Sequence, residues 1–428
     1  MTEVGLEDRI NTRTRSSELR ITDLRVAKLD GVPMKHTIIR LDTNQGITGW
    51  GEVRDQASAT YALMLKSRLV GENPCNIEKV FRKIRQFGGH GRQGGGVSGI
   101  EMALMDLAGK AYDVPAYMLA GGKYRDEILV YADTPSRRSA EEMGQVLLER
   151  MDRGFKMLKM DVGLSLLMDI PGAVVASDAQ RARRPKDRPF TMHPFTGVHI
   201  TKSGVDHLVD YVAQVREMIG YEMPVAVDHF GYMDVESAIR LGRGLEPFGL
   251  EWLEDLIPWQ YTEQWRQITD AIAVPTCTGE DIYLAENFKP LLDRQAIRVA
   301  HPDPASAGGI LETKRIADLA QTYGVPTALH LAATPIATMA CVAIGAASET
   351  FYALEHHAAD VPEWNHLVTG LPDPIIQNGH IKVPETPGLG FGDIDEEAFK
   401  AALDPRDPAF FEETTIWDDE ASYDRQWG

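Results

Sequence analysis

Cysteine is scarce: Cys75, Cys277 and Cys341 are the only three in 428 residues, odd in number and far apart. No Cys-x-x-Cys pair is present to hold zinc or exchange disulfides, so they read as buried or incidental thiols in a reducing compartment. Positive charge is also short, 44 Lys and Arg against 63 Asp and Glu, a net charge of −19. That field repels a polyanionic backbone and argues against nucleic acid as a partner, and a small anionic substrate would need local cations. No apolar run approaches the roughly 18 residues of a membrane span. The opening stretch, MTEVGLEDRINTRTRSSELR, is polar rather than a basic lead into an apolar core. A soluble cytoplasmic protein, with no membrane partner and no export signal, is therefore expected. What is present is ordinary globular composition, 43% hydrophobic and 25% charged, in a chain too long for one small domain.

Residues 19–53 carry alternating apolar runs around Asn44-Gln45-Gly46, which predicts an antiparallel meander. The stretch VSGIEMALMDLAGKAY, residues 97–112, puts Ile100, Ala103, Leu104, Leu107 and Ala108 on one helical stripe, with its carboxylates largely elsewhere. Residues 1–127 thus form a separate α+β unit. Beyond them, short β-rich runs alternate with amphipathic helical segments. The runs fall at 128–134, 155–161, 223–229, 249–255, 273–279, 296–302, 325–331 and 350–356. Eight such units over residues 128–385 predict an α/β fold, a (β/α)8 TIM barrel with its chemistry at the C-terminal strand ends. A doubly wound sheet is the alternative, but no Gly-x-Gly-x-x-Gly follows the first of these strands. Residues 162–205 interrupt the rhythm with Arg181, Arg183, Arg184, Lys186 and Arg188, reading as a lid or a solvated basic loop. Residues 386–428, acidic and containing Pro and Trp, are expected to pack back on the first unit.

Chemistry enters where ionisable residues end the strands. Asp228, Glu254 and Glu280 are spaced 26 residues apart, one βα unit each, so they should converge. Converging carboxylates raise one another's pKa unless a cation neutralises them, and a hard divalent ion, Mg2+, suits an all-oxygen site. The bland alternative is three carboxylates capping the helices that follow. Asp303, His330 and Glu355 continue the series at intervals of 23, 27 and 25. An aspartate beside an imidazole fixes its tautomer and raises its basicity, making His330 a candidate general base. Lys159 ends the second strand, with Asp161 two positions on and so on the same face. It would serve as an electrophile or, with a lowered pKa, as a base, while Lys156 points to the other face. His229, directly after Asp228, is the next candidate acid or base. The set suits removal of a proton next to a carboxylate, where a metal and a cationic side chain meet the developing enediolate charge.

On these residues, together with GITGWGEV and VSGIEMALMDLAGKAYDVPAYMLAGGKYRD, the chain resembles the enolase superfamily over essentially its whole length. It is most similar to the mandelate racemase subgroup. The resemblance implies a capping domain from both termini, a modified (β/α)7β barrel, one Mg2+, a carboxylate substrate and a homo-oligomer. His36 and Arg54 match cap-loop positions that would read the far end of the substrate, with Asp161 a third substrate-binding candidate. Two departures stand out. The subgroup's Lys-x-Lys is here Lys159-Met160-Asp161, which weighs against a two-base racemase. Its Asp-x-Asn is Asp228-His229-Phe230, placing His229 one position out of register with the histidine acid of acid-sugar dehydratases.

The resemblance thus implies an acid-sugar dehydratase acting on an aldonate or aldarate and yielding a 2-keto-3-deoxy acid. His330 would remove the C2 proton, and His330 or His229 would protonate the leaving C3 hydroxyl. Lys159 and Glu355 would stabilise the enediolate. The rivals are an epimerase or racemase, a cycloisomerase using the same enediolate, and a noncatalytic barrel homologue.

Overall fold

Alternating apolar and polar residues build the first sheet, in which β1 (Ile21–Leu29), β2 (His36–Thr43) and β3 (Thr48–Val53) pair antiparallel in that order. The computed structural model describes residues 14–89, 91–175, 199–228 and 233–422. The turn expected at residues 44–46 joins β2 to β3, with Gly46 at φ 77°, a conformation that favours glycine. A helix over Gly91–Tyr112 lies against β3, and the GWG of GITGWGEV is why it fits. A Cβ on Gly51 would fall on the Gly99 carbonyl, and one on Gly99 would come within 2.7 Å of the Glu52 carbonyl oxygen.

The carboxylates of this helix do not turn away from the core as its stripe predicted. Glu101 and Asp106 are both buried, because the helix is covered on a second side by the segment around residue 310 and by residues near 389. Glu101 accepts the Ile310 and Leu311 N–H groups at 2.5 and 3.1 Å, capping the helix that starts there. Asp106 accepts Trp50 N–H and Leu389 N–H at 2.9 and 2.8 Å. Backbone donors satisfy both groups, which is what makes their burial tolerable.

The parallel strands are β4 (Glu127–Ala132) and β5 (Leu158–Asp161), then, after a small antiparallel pair β6 (Val174–Val175) and β7 (His199–Ile200), β8 (Val225–Asp228) and β9 (Leu253–Glu254). They continue as β10 (Thr276–Thr278), β11 (Val299–Ala300), β12 (Thr327–Leu329) and β13 (Phe351–His356). β13 pairs back on β4, Glu355 opposite Tyr131, and closes an eight-stranded parallel barrel, each strand inside its predicted window except β4, which starts one residue early at Glu127. Helices follow β4, β5 and β8 to β12, whereas only a short turn at Pro362–His366 follows β13, giving the (β/α)7β pattern. β14 (His380–Lys382) adds antiparallel to β4. Farther on, Phe410 bridges Ala27, Leu403 bridges Leu29, and Phe411 meets the Trp50 ring edge-on at 5.2 Å. Among the described residues no helix is long and apolar enough to cross a membrane.

Inside the barrel, Tyr131, Met157, Ala226, Trp252, Cys277, Val299, Ala328 and Ala353 form their own apolar layer, one contribution from each strand or its edge. Cys277 is thus a packing residue, and Cys341 is buried likewise. Side chains two positions on point the same way along a strand. That step leads from this layer to Asp133, Lys159, Asp228, Glu254, His301, His330 and Glu355.

Glu52 of β3 joins the first sheet to the barrel. Its carboxylate accepts Thr334 N–H at 3.0 Å, the Thr334 hydroxyl at 2.6 Å and Ala337 N–H at 3.2 Å, and lies 2.8 Å from His36 Nδ1. Glu52→Ala leaves these donors buried without an acceptor and is expected to cost about 3–5 kcal/mol. Urea unfolding measures it, and a loss below about 1 kcal/mol would show that the junction does not depend on this carboxylate.

Candidate active site

Asp228, Glu254 and Glu280 each offer a carboxylate oxygen, and these oxygens lie within 4.8 Å of one another. None of them caps a helix: the helix after β8 is capped by Asp234, the one after β9 has no cap from its preceding residue, and the one after β10 has its first N–H taken by Glu312. Asp228 and Glu254 end their strands on the inward face, and Glu280 follows Gly279, whose φ of 147° turns the chain after β10. Trp252 Nε1 donates to Glu254 Oε2 at 2.9 Å, so the apolar layer below holds one member of the trio directly. Three carboxylates converging here with oxygen-only chemistry fit a hard divalent cation.

Lys159 Nζ lies 2.9 Å from Asp228, 3.1 Å from Glu254 and 2.6 Å from Glu355. Burial disfavours its charge, but the three carboxylates outweigh burial and hold the ammonium well above its ordinary value. Of the two roles expected of Lys159, this setting favours the electrophilic cation over the base with a lowered pKa. Asp161 is buried and stands opposite Asp228 in the β5–β8 register. His229 lies outside the described residues.

His330 Nδ1 sits 2.7 Å from Asp303 Oδ2, and its Nε2 sits 3.0 Å from Glu280 Oε2. Burial pushes the ring toward neutrality, but Glu280 above all, with Glu355 and Asp303, raises it well above the ordinary histidine value against Arg54. Glu280 belongs to the trio, so a cation shared by the trio would take over the charge that His330 otherwise answers.

Arg54 and His36 do not occupy the distal position expected of them. The Arg54 guanidinium reaches Asp303, lies 2.8 Å from His330 Nδ1 and 3.2 Å from Glu280, and pairs through Nε with Asp55 at 3.0 Å. It packs on the Asp303–His330 pair itself, because its long side chain runs from the end of β3 down into the barrel mouth. His36 is turned to Glu52 and is not among the residues lining the central cavity. That cavity, about 300 Å³, is bounded on the cap side by Met34, Gln56 and Arg92 and on the barrel side by Glu280, His330 and His357. Arg92 NH1 bonds Asp55 Oδ2 at 2.8 Å.

Two histidines were not singled out from the sequence. His301, fully buried between Glu254 and Glu355, lies 3.2 Å from the first and 3.3 Å from the second, with Tyr131 Oη at 3.3 Å. Burial opposes its charge, but Glu254 foremost pushes it up to about 9. His357 lies 2.9 Å from Glu355 Oε1 and 3.3 Å from Asp133 Oδ2. The period of two would have found both: His301 precedes Asp303 by two, and His357 follows Glu355 by two. The intervening His356 faces outward, stacked on Phe155 and edge-on to Trp364, and burial lowers it to about 3.

Residues 12–121 match the mandelate racemase/muconate lactonizing enzyme N-terminal domain, and residues 142–398 match the enolase C-terminal domain-like family. The chain belongs to the mandelate racemase subgroup of the enolase superfamily. Among similar members, a D-xylonate dehydratase of Haloferax volcanii is 34% identical over 95% of this chain and 94% of its own. A D-galactonate dehydratase family member of Streptomyces bingchenggensis is 30% identical over 87% of this chain and 90% of its own. A mandelate racemase/muconate lactonizing enzyme-like protein from Rubrobacter xylanophilus superposes with a TM-score of 0.80 at 33% identity, covering 92% of this chain and 99% of that one. A 3,6-anhydro-D-galactonate cycloisomerase from Zobellia galactanivorans gives 0.74 at 25%, covering 90% and 99%. In this member of the subgroup, the second barrel strand presents one cation and one carboxylate, Lys159 and Asp161, where a two-base racemase would need a second lysine.

Proposed function

We propose that the protein is a Mg2+-dependent dehydratase of an acid sugar, an aldonate in the first instance, forming a 2-keto-3-deoxy acid. The observation that carries this reading is His330, backed by Asp303, set against the oxygen trio, with His330, Asp228 and Glu280 lining one small cavity. The aldonate dehydratases among its relatives support the substrate class. Asp228, Glu254 and Glu280 would hold the cation, whose chemistry is to draw charge from the substrate carboxylate. His330 Nε2 takes the C2 proton, and Asp303 keeps Nδ1 protonated so that Nε2 is the basic nitrogen. Lys159, a fixed cation between the trio and Glu355, meets the negative charge as it moves onto the carboxylate, and it needs no reorganisation to do so. Arg54 orients Asp303 and His330 rather than the far end of the sugar.

A panel of five- and six-carbon aldonates and aldarates, assayed for 2-keto acid with Mg2+, is expected to give turnover with an aldonate. No 2-keto acid from any of them would overturn the reading. The cycloisomerase likeness makes ring opening or epimerisation the second reading. Solvent deuterium entering C2 with no loss of water would favour epimerisation, and deuterium entering C3 of an anhydro-aldonate with no loss of water would favour ring opening.

A further inference from the structure

We propose that His357, backed by Asp133, is the acid that protonates the departing C3 hydroxyl; the assignment rests on the dehydration reading above. His330 and His357 are built alike. Asp303 follows β11, the neighbour of β12, and fixes His330 Nδ1 at 2.7 Å. Asp133 follows β4, the neighbour of β13 across the seam that closes the barrel, and stands 3.3 Å from His357 Nδ1. The second nitrogen of each ring then meets a carboxylate of the site, His330 Nε2 at Glu280 and His357 Nε2 at Glu355. Both imidazoles line the central cavity, their ring centroids 5.8 Å apart.

The two rings differ in what surrounds them. Arg54 shares Asp303 with His330, whereas Asp133 is 3% exposed and its Oδ1 has no hydrogen-bond partner among the described residues. A buried carboxylate in that position needs a cation, and His357 is the group placed to be one. A ring that carries its proton, borders the cavity and sits beside the base is what the leaving oxygen requires, since hydroxide departs poorly without a proton.

The C2–H bond breaks and its proton passes to His330 Nε2, leaving its electron pair delocalised over C2 and the carboxylate. That pair forms C2=C3 as the C3–O bond breaks, and the departing oxygen takes the Nε2 proton of His357 and leaves as water. His330 ends protonated and His357 neutral. The enol ketonises, gaining a proton at C3 and losing one from the C2 hydroxyl, and solvent returns the proton from His330 to His357.

The test uses the full chain with Mg2+, D-xylonate and 3-deoxy-3-fluoro-D-xylonate, whose fluoride leaves without a proton. His357→Gln is expected to slow water loss from D-xylonate about 10²–10⁴-fold, with Asp133→Asn weaker in the same direction. Fluoride release and exchange of the C2 proton with solvent deuterium should stay within about threefold of wild type in both variants. Equal loss on both substrates, no loss on either, or the selective loss appearing in His229→Gln instead would each overturn the assignment. If D-xylonate is not turned over, the aldonate that the panel identifies and its 3-deoxy-3-fluoro analogue take its place. A wild-type protein that exchanges C2 without releasing water, or that is inert to every aldonate and aldarate of the panel, sinks the dehydration reading and this assignment with it.

Discussion

His330→Asn is expected to lose dehydration by at least about 10³-fold and to lose C2 proton exchange in parallel, because one nitrogen serves both. Asparagine is smaller and polar, can still donate to Asp303, and leaves Arg54 its pairing with Asp303, Asp55 and Glu280. The fold should therefore survive. The melting temperature is expected to fall by no more than a few degrees, an effect of about 1 kcal/mol. Two measurements on one variant separate the roles. Exchange surviving while water loss stops would make His330 an acid instead of the base, and more than a tenth of the wild-type rate would remove it from the chemistry altogether. The comparison with His357→Gln sharpens this: the first variant should silence exchange, the second should leave it.

Much of the site was legible because barrel strands repeat. A strand end recurs about every βα unit, so carboxylates spaced 26 apart fall at one height from their spacing alone. Asp228, Glu254, Glu280, Asp303, His330 and Glu355 were all placed by that rule, and they do come together at one end of the barrel, with Asp228, Glu280 and His330 lining the cavity and the other three buried behind them. The same rule, applied at period two within a strand, also reaches His301 and His357. They escaped notice because a polar residue beside a conspicuous one, as in ALEHH, gives no sign of which neighbour faces inward until the strand's phase is fixed. Asp133 was hidden inside a stretch read wholly as strand.

Other features were beyond the sequence for physical reasons. A long side chain at the end of β3 can extend over the barrel or down into it, and only packing decides that Arg54 does the latter. Whether buried Lys159 is a base or a cation depends on the balance between desolvation and three carboxylates, each within about the length of an ion pair. Spacing cannot reveal that sum. Nor can it reveal that Asp255, beside Glu254, adopts φ 45°, a left-handed conformation that a residue without glycine's freedom takes only when its surroundings impose it. Asp255 lines the cavity and accepts the Thr278 hydroxyl at 2.5 Å. Burial, with Glu280, Glu254 and Asp228 beside it, pushes its carboxyl well above the ordinary range.

Chelation is expected to have the other large effect: EDTA should bring turnover to background, and Mg2+ in excess should restore it. Asp228, Glu254, Glu280 and Glu355 crowd one end of the barrel, faced by Lys159, His301 and Arg54. Those cations already serve other partners, since Lys159 also holds Glu355 and Arg54 also holds Asp303 and Asp55. A substrate carboxylate entering this cavity adds a further negative charge, and the trio is the place where a divalent ion can offset it. Binding should also show without any catalysis. An ion that recognises only the folded chain stabilises it by about 2.7 kcal/mol at a hundred times its dissociation constant, so Mg2+ should raise the melting temperature. Asp228→Asn removes one oxygen anion from the trio while leaving Lys159 its pairing with Glu254 and Glu355. It is expected to abolish the Mg2+-dependent shift and to lower turnover by at least about 10²-fold, as loss of a group that stabilises developing charge does. Turnover indifferent to EDTA, or a melting temperature indifferent to Mg2+ in the wild type, would mean that the three carboxylates converge for a reason other than a cation. His330 would then remain tied to Glu280, and the proposed proton abstraction would have no electrostatic support.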